Sequence, residues 1–88
     1  MASLYRFPCC TKASKAPVST QTVKILEEVH ELAEVQNNDP FDAGRILEEA
    51  WDVIHAAEGV LRKYATDLVE EARDYVEMKN RERGYYDK

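Results

Sequence analysis

KILEEVHELAEV, Lys24–Val35, is the stretch that decides how this chain folds. Its apolar residues Ile25, Leu26, Val29, Leu32, Ala33 and Val35 recur at the three- and four-residue steps of one helix face. The same twelve positions hold Glu27, Glu28, Glu31 and Glu34, each with an acidic neighbour three or four places away. Like-charge pairs of this kind cost a helix about 0.2–0.5 kcal/mol each. A helical wheel sorts the four acids into two kinds. Glu28 falls between Leu32 and Val35, with Glu31 at the edge of the apolar arc, whereas Glu27 and Glu34 point toward solvent. A carboxylate on the packed side needs a cation or strong donors, because an unpaired buried charge is expensive.

Working outward, Ser19 or Thr20 is the expected cap of this first helix, which should run to about Gln36. NNDP, residues 37–40, breaks it. Asp39 reads as the next N-cap, with Pro40 at the first helical position and a second helix reaching about Tyr64. Thr66 or Asp67 opens a third, which should end near Arg83 at the stop signal Gly84. Short connections between these helices predict antiparallel neighbours. The fold expected is all-α, an antiparallel bundle of three main helices per chain, completed by oligomerisation. Residues 1–17 show no periodicity and read as an irregular arm, leaving 18–88 as the helical domain.

The second helix repeats the pattern of the first. Ile46, Leu47, Ala50, Val53, Ile54, Ala57, Val60, Leu61 and Tyr64 form its expected stripe, with Glu49 at the border and Asp52 three residues on. Ala56 and Gly59 leave room for a close neighbour, while Glu48, Trp51, His55 and Glu58 are expected to face outward. Facing pairs Glu28/Glu31 and Glu49/Asp52 would set four carboxylates around one point, a donor set for a hard cation such as Mg²⁺. His30 and His55 do not stand three residues after either first glutamate, which favours magnesium or manganese over iron. A single acidic pair is usually a solvated helix face; two pairs on neighbouring apolar borders are a stronger signal.

ExxE, a gap of 17 residues between Glu31 and Glu49, then ExxD resembles the all-α nucleotide pyrophosphohydrolase superfamily. That superfamily includes MazG-like proteins, dimeric dUTPases, dCTP pyrophosphatases and phosphoribosyl-ATP pyrophosphohydrolases. EEVHELAEV, LEEAWDVIHAAEGVLRKY and the terminal KNRERGYYDK look most like short MazG-like proteins of phages and prophages, over residues 20–86. The resemblance implies Mg²⁺- or Mn²⁺-dependent hydrolysis of a nucleoside triphosphate to the monophosphate and pyrophosphate, in the service of nucleotide-pool house-cleaning. It implies Glu28, Glu31, Glu49 and Asp52 as metal ligands. Glu27 and Glu48 match the extra acid before each pair, and Glu27 or Glu28 is the candidate to activate water. Asn80 with Lys79, Arg81 and Arg83 matches a downstream phosphate-holding element, although cations at a helix C-terminus are also stabilising by themselves. His55 is a candidate phosphate contact or a plain surface histidine, and His30 is expected to be partly buried. Trp51 and Tyr64 are candidates to stack on a base; an oligomer interface for Trp51 and ordinary core for Tyr64 are the competing roles. The rival readings are a non-catalytic metal- or nucleotide-binding regulatory module, phage-derived, and a structural oligomer with solvated acids.

Composition sets the outer limits. Eighty-eight residues make one small domain, for which a homo-oligomer, dimer or tetramer, is the expected source of extra core. Arg6, Lys12 and Lys15 are the only charges of residues 1–17, so the rest of the chain nets −8 within an overall −5. A body that acidic is ill suited to bind nucleic acid. No stretch is long and apolar enough to span a membrane. The start MASLYRFPCCTKASKAP lacks an apolar leader core, so a cytoplasmic location is expected. Cys9 and Cys10 are adjacent, unlike spaced zinc-ligand pairs, and read as two reduced thiols in a mobile tail.

Overall fold

A computed structural model describes residues 4–87 as four helices in sequence: α1 Thr11–Lys15, α2 Val18–Asn38, α3 Ala43–Leu61 and α4 Thr66–Glu82. No strand occurs among the described residues, in keeping with the all-α expectation. Met1–Ser3 of the arm and Lys88 at the end of the domain lie outside the described residues. Among the described residues, no helix is long and apolar enough to cross a membrane.

The helix boundaries correct two cap assignments. α2 starts at Val18, with Pro17 rather than Ser19 or Thr20 as N-cap. Proline already has the φ the chain needs there, and its carbonyl accepts the amides of Thr20 and Gln21 at 3.1 and 3.3 Å. At the other junction Asp39 ends α2 instead of opening α3. Residues 39–42 form a turn closed by the Asp42 amide on the Asp39 carbonyl, and the Asp42 carboxylate then caps α3 by accepting the Arg45 N–H at 3.1 Å. Pro40 therefore lies in the turn. α4 begins at Thr66 as expected and ends at Glu82, followed by Gly84 at φ 77°, a left-handed conformation that glycine adopts without strain.

α2 and α3 pack lengthwise, whereas α4 makes only slight contact with the other helices. Their register is antiparallel: Gln21 meets Gly59 near one end, and Glu31 approaches Glu49 near the other. The same register sets Glu28 opposite Asp52. On α2 the buried line is Gln21, Glu28 and Val35, spaced at seven residues. Ala56 and Gly59 are its small partners on α3, and a Cβ at Gly59 would run into the Gln21 side-chain amide. Close approach along this line leaves much of the expected apolar arc uncovered, so Leu26 and Val29 are exposed. Leu47, Ile54, Leu61 and Tyr64 of the expected α3 stripe are exposed as well. Tyr64 is thus not a core residue of the chain. Buried apolar residues among those described are Val35, Ala56 and Val69.

The arm is not wholly irregular. α1 interrupts it, and its Ala13 methyl lies against the Gly59 position. Lys63 of the α3–α4 connection donates to the carbonyls of Ala16 and Ser14, tying the arm to the end of α3.

Candidate functional site

Glu28, Glu31 and Glu49 each offer a carboxylate oxygen, and these oxygens all lie within 4.8 Å of one another. Glu28 is buried, Glu49 half-buried and Glu31 exposed at the rim. Glu28 Oε1 pairs with the Lys24 ammonium at 2.7 Å, one helical turn earlier. The other oxygen, Oε2, is buried without a hydrogen-bond partner among the described residues, as is Oε2 of Glu49. Crowding shows in the titration of the rim residue. The Glu28 charge, then partial loss of surrounding water, then the Glu49 charge push the Glu31 carboxyl above its ordinary value. Lys24 is shifted up in turn, chiefly by its hydrogen bond and charge attraction to Glu28.

These donors suit a hard cation. All three are oxygen ligands, and the two buried orphan oxygens are the acceptors such an ion would satisfy. No cysteine or histidine joins the cluster, which argues against metals preferring sulfur or imidazole. Asp52, the fourth expected ligand, is exposed and stands outside the three-acid group. It instead lines a cleft of about 510 Å³ together with Glu27, Glu28 and His55. Glu28 belongs to both features, so the acid cluster opens onto the cleft.

The structure separates the other expected site residues. Glu27 is exposed on the cleft wall, 4.0 Å from Lys24, and Glu48 is exposed. Glu34 points to solvent as expected and pairs at 3.0 Å with His30. His30 is therefore an exposed residue, not a partly buried one. Lys79, Asn80, Arg81 and Arg83 do not line the cleft. Lys79 lies over the Tyr75 ring, and Arg81 bonds Glu77 and lies over Tyr86, so these cations serve the end of α4. Trp51 is half-exposed, with the Phe7 ring edge-on at 5.8 Å. His55 stacks on the same Phe7 ring, with centroids 4.6 Å apart and an interplanar angle of 26°.

Glu58 overturns the expectation that it faces outward. It is buried, and its two oxygens accept the backbone amides of Arg6 and Phe7 at 2.8 and 3.1 Å. Arg62, one turn later, donates to the Phe7 carbonyl at 2.6 Å. Helical geometry alone places Glu58 on the polar side of α3, and the missing information is that the arm returns to cover it. The i, i+3 and i+7 spacing of His55, Glu58 and Arg62 was the available signal that these side chains share a face. Cys9 and Cys10 are free, exposed thiols on the arm's side of the cleft.

Comparison with family profiles, with curated proteins and with solved structures yields no match for this chain.

Proposed function

We propose that the chain is a Mg²⁺- or Mn²⁺-dependent nucleoside triphosphate pyrophosphohydrolase of the MazG-like kind, working as a homo-oligomer. The observation that carries this reading is the convergence of Glu28, Glu31 and Glu49, with two buried carboxylate oxygens left without partners. The sequence resemblance supplies the reaction, and the cleft beside the acids supplies a place for a nucleotide-sized ligand.

In this reading Glu28, Glu31 and Glu49 hold the ion, with Asp52 reaching in from the opposite register position. The ion, when bound, neutralises phosphate charge and lowers the pKa of a water. Glu27 stands on the cleft wall at the edge of the cluster, where its carboxylate can take the proton that the attacking water loses. Water oxygen adds at the α-phosphorus, the bond from that phosphorus to the bridging oxygen breaks, and pyrophosphate leaves with the electron pair. Lys24 fixes Glu28 in place through the 2.7 Å pair. Oligomerisation would cover Leu47, Ile54 and Leu61, a seven-residue repeat of exposed apolar side chains along α3.

A second reading, a metal- or nucleotide-binding regulatory module without turnover, is favoured by two observations. Asp52 stands outside the acid group, and the α4 cations are away from the cleft. One assay separates the two. The protein is incubated with Mg²⁺ or Mn²⁺ and a panel of ribo- and deoxynucleoside triphosphates, and monophosphate and pyrophosphate are measured. Release that falls at least a hundredfold in Glu28→Gln and Glu49→Gln is the expected result, in line with losing charge stabilisation worth about 2.7–4 kcal/mol. Thermal stabilisation by the ion without release favours the regulatory module. Release unchanged by both substitutions sinks the proposed site.

A further inference from the structure

The Glu58 anchor presents a defined hydrogen-bonding edge to the arm. A buried carboxylate receives two adjacent N–H groups, one on each oxygen, from consecutive residues. Arg62 donates to the carbonyl next to them, and its guanidinium is itself held 3.9 Å over the Tyr5 ring. The flat group attached to this edge, the Phe7 ring, is stacked on His55 and edge-on to Trp51. Two neighbouring donors, an adjacent carbonyl and a stacked aromatic ring are also what one nucleobase presents. Guanine carries N1–H and the exocyclic N2–H side by side, with O6 next to them. Adenine has no ring N–H on that edge, uracil has a single one between two carbonyls, and cytosine has an acceptor there instead.

We propose that Glu58, Arg62, His55 and Trp51 form a guanine-binding site, in which Arg6–Phe7 of the arm stands in for the base. A guanine nucleotide would displace these two residues while Lys63 keeps its hold on Ala16, so the arm swings from its α1 end. The carboxylate would take N1–H and N2–H, Arg62 would donate to O6, and the ring would stack on His55. Charge-assisted pairs of this kind are the strong ones, and a site built around them rejects bases that leave the carboxylate unpaired.

The location fits a nucleotide entering the same cleft. Glu58 and Asp52 are six residues apart on α3, about 9 Å along the axis at 1.5 Å per residue. Both residues line the cleft that reaches Glu27 and Glu28. A base at Glu58 thus directs its sugar and phosphates toward the acid cluster. That direction rests on the function proposed above; the base site itself rests on the arm's contacts.

The test uses the full chain with guanosine, inosine, adenosine, cytidine and uridine monophosphates, and with EDTA present so that the acid cluster plays no part. Trp51, the single tryptophan, reports by fluorescence, and amide exchange at Arg6 and Phe7 reports release of the arm. Guanosine monophosphate should change the fluorescence saturably and speed both exchanges. The inosine nucleotide, lacking N2–H, should bind roughly tenfold or more weakly, as expected for one lost bond to a charged group. The other three should give no saturable change. Phe7→Ala removes the competing ring and should tighten guanosine monophosphate binding several-fold, because less of the site is then occupied by the arm. Glu58→Gln, with helicity checked by circular dichroism, should abolish the guanine preference. Binding that ignores the base, or none even in Phe7→Ala, means that the anchor is structural only and overturns the proposal. Guanine binding without pyrophosphate release in the earlier assay would overturn the enzyme reading and leave this one standing. Release from every nucleotide at equal rates would do the reverse.

Discussion

One oxygen of Glu28 meets the Lys24 ammonium while the other is buried without a partner, and Glu31 and Glu49 press against the same point. At the scale of single residues this crowding has a measurable sign. The folded Glu31 carboxyl titrates above its ordinary value near 4.5, so between those two points the folded chain holds a proton that the unfolded chain has released. The group therefore destabilises the fold at neutral pH, and the penalty fades as pH falls through the raised value toward 4.5. Without divalent ions, Glu31→Gln should raise the melting temperature at pH 7, with the gain vanishing near pH 4.5. With Mg²⁺ present the sign should reverse, since the substitution removes a ligand from the ion. Melting curves in EDTA and in Mg²⁺ read both effects; a lowered melting temperature in EDTA would contradict the electrostatic account. The inward placing of Glu28 was legible from its position between Leu32 and Val35. The separation of Asp52 from the other acids was not, because helical periodicity says which face a residue shares but not how closely its side chain approaches a neighbour.

Among elements, the α2–α3 hairpin depends on its turn and on one small residue. Asp42, not Asp39, carries the cap of α3, so Asp42→Ala should cost about 1 kcal/mol. Asp39→Ala removes only an exposed 3.7 Å pair with Arg45, and should cost under about 0.5 kcal/mol. Denaturant melts of the two variants distinguish them, and equal losses would contradict the assigned turn. Gly59→Leu should destabilise by about 1–3 kcal/mol, because the new side chain has to displace the buried Gln21 amide and press on the Ala13 methyl. Sequence signals located all three long helices, and they identified Gly84 as a stop. They misplaced the α3 cap because Asp39-Pro40 and Asp42 are both plausible starts, and only the turn's own hydrogen bonds choose between them.

Over the whole molecule, the few buried apolar residues contrast with long exposed rows. Leu47, Ile54 and Leu61 on α3, with Leu68, Tyr75 and Val76 on α4, remain open to solvent. Association that covers the α3 row should appear as a mass above that of one chain in light scattering over a dilution series. Ile54→Lys should shift that series toward the monomer without loss of the acid cluster's response to Mg²⁺. A single-chain mass at every concentration would rule the oligomer out. The arm is the other feature at this scale: its backbone bonds to Glu58 join residues more than fifty positions apart.

The sequence by itself determined the helical class, a break at NNDP, residues 37–40, and the inward direction of Glu28, because each follows from short-range periodicity and backbone preference. Tertiary structure alone decided that the packed line is Gln21–Glu28–Val35 rather than the broad apolar arc. It also decided that Glu58 is buried under the arm and that Asp52 faces the cleft. Those outcomes depend on how closely two helices approach and where a distant segment returns. Both are set by shape and by long-range hydrogen bonds that leave no mark on local spacing.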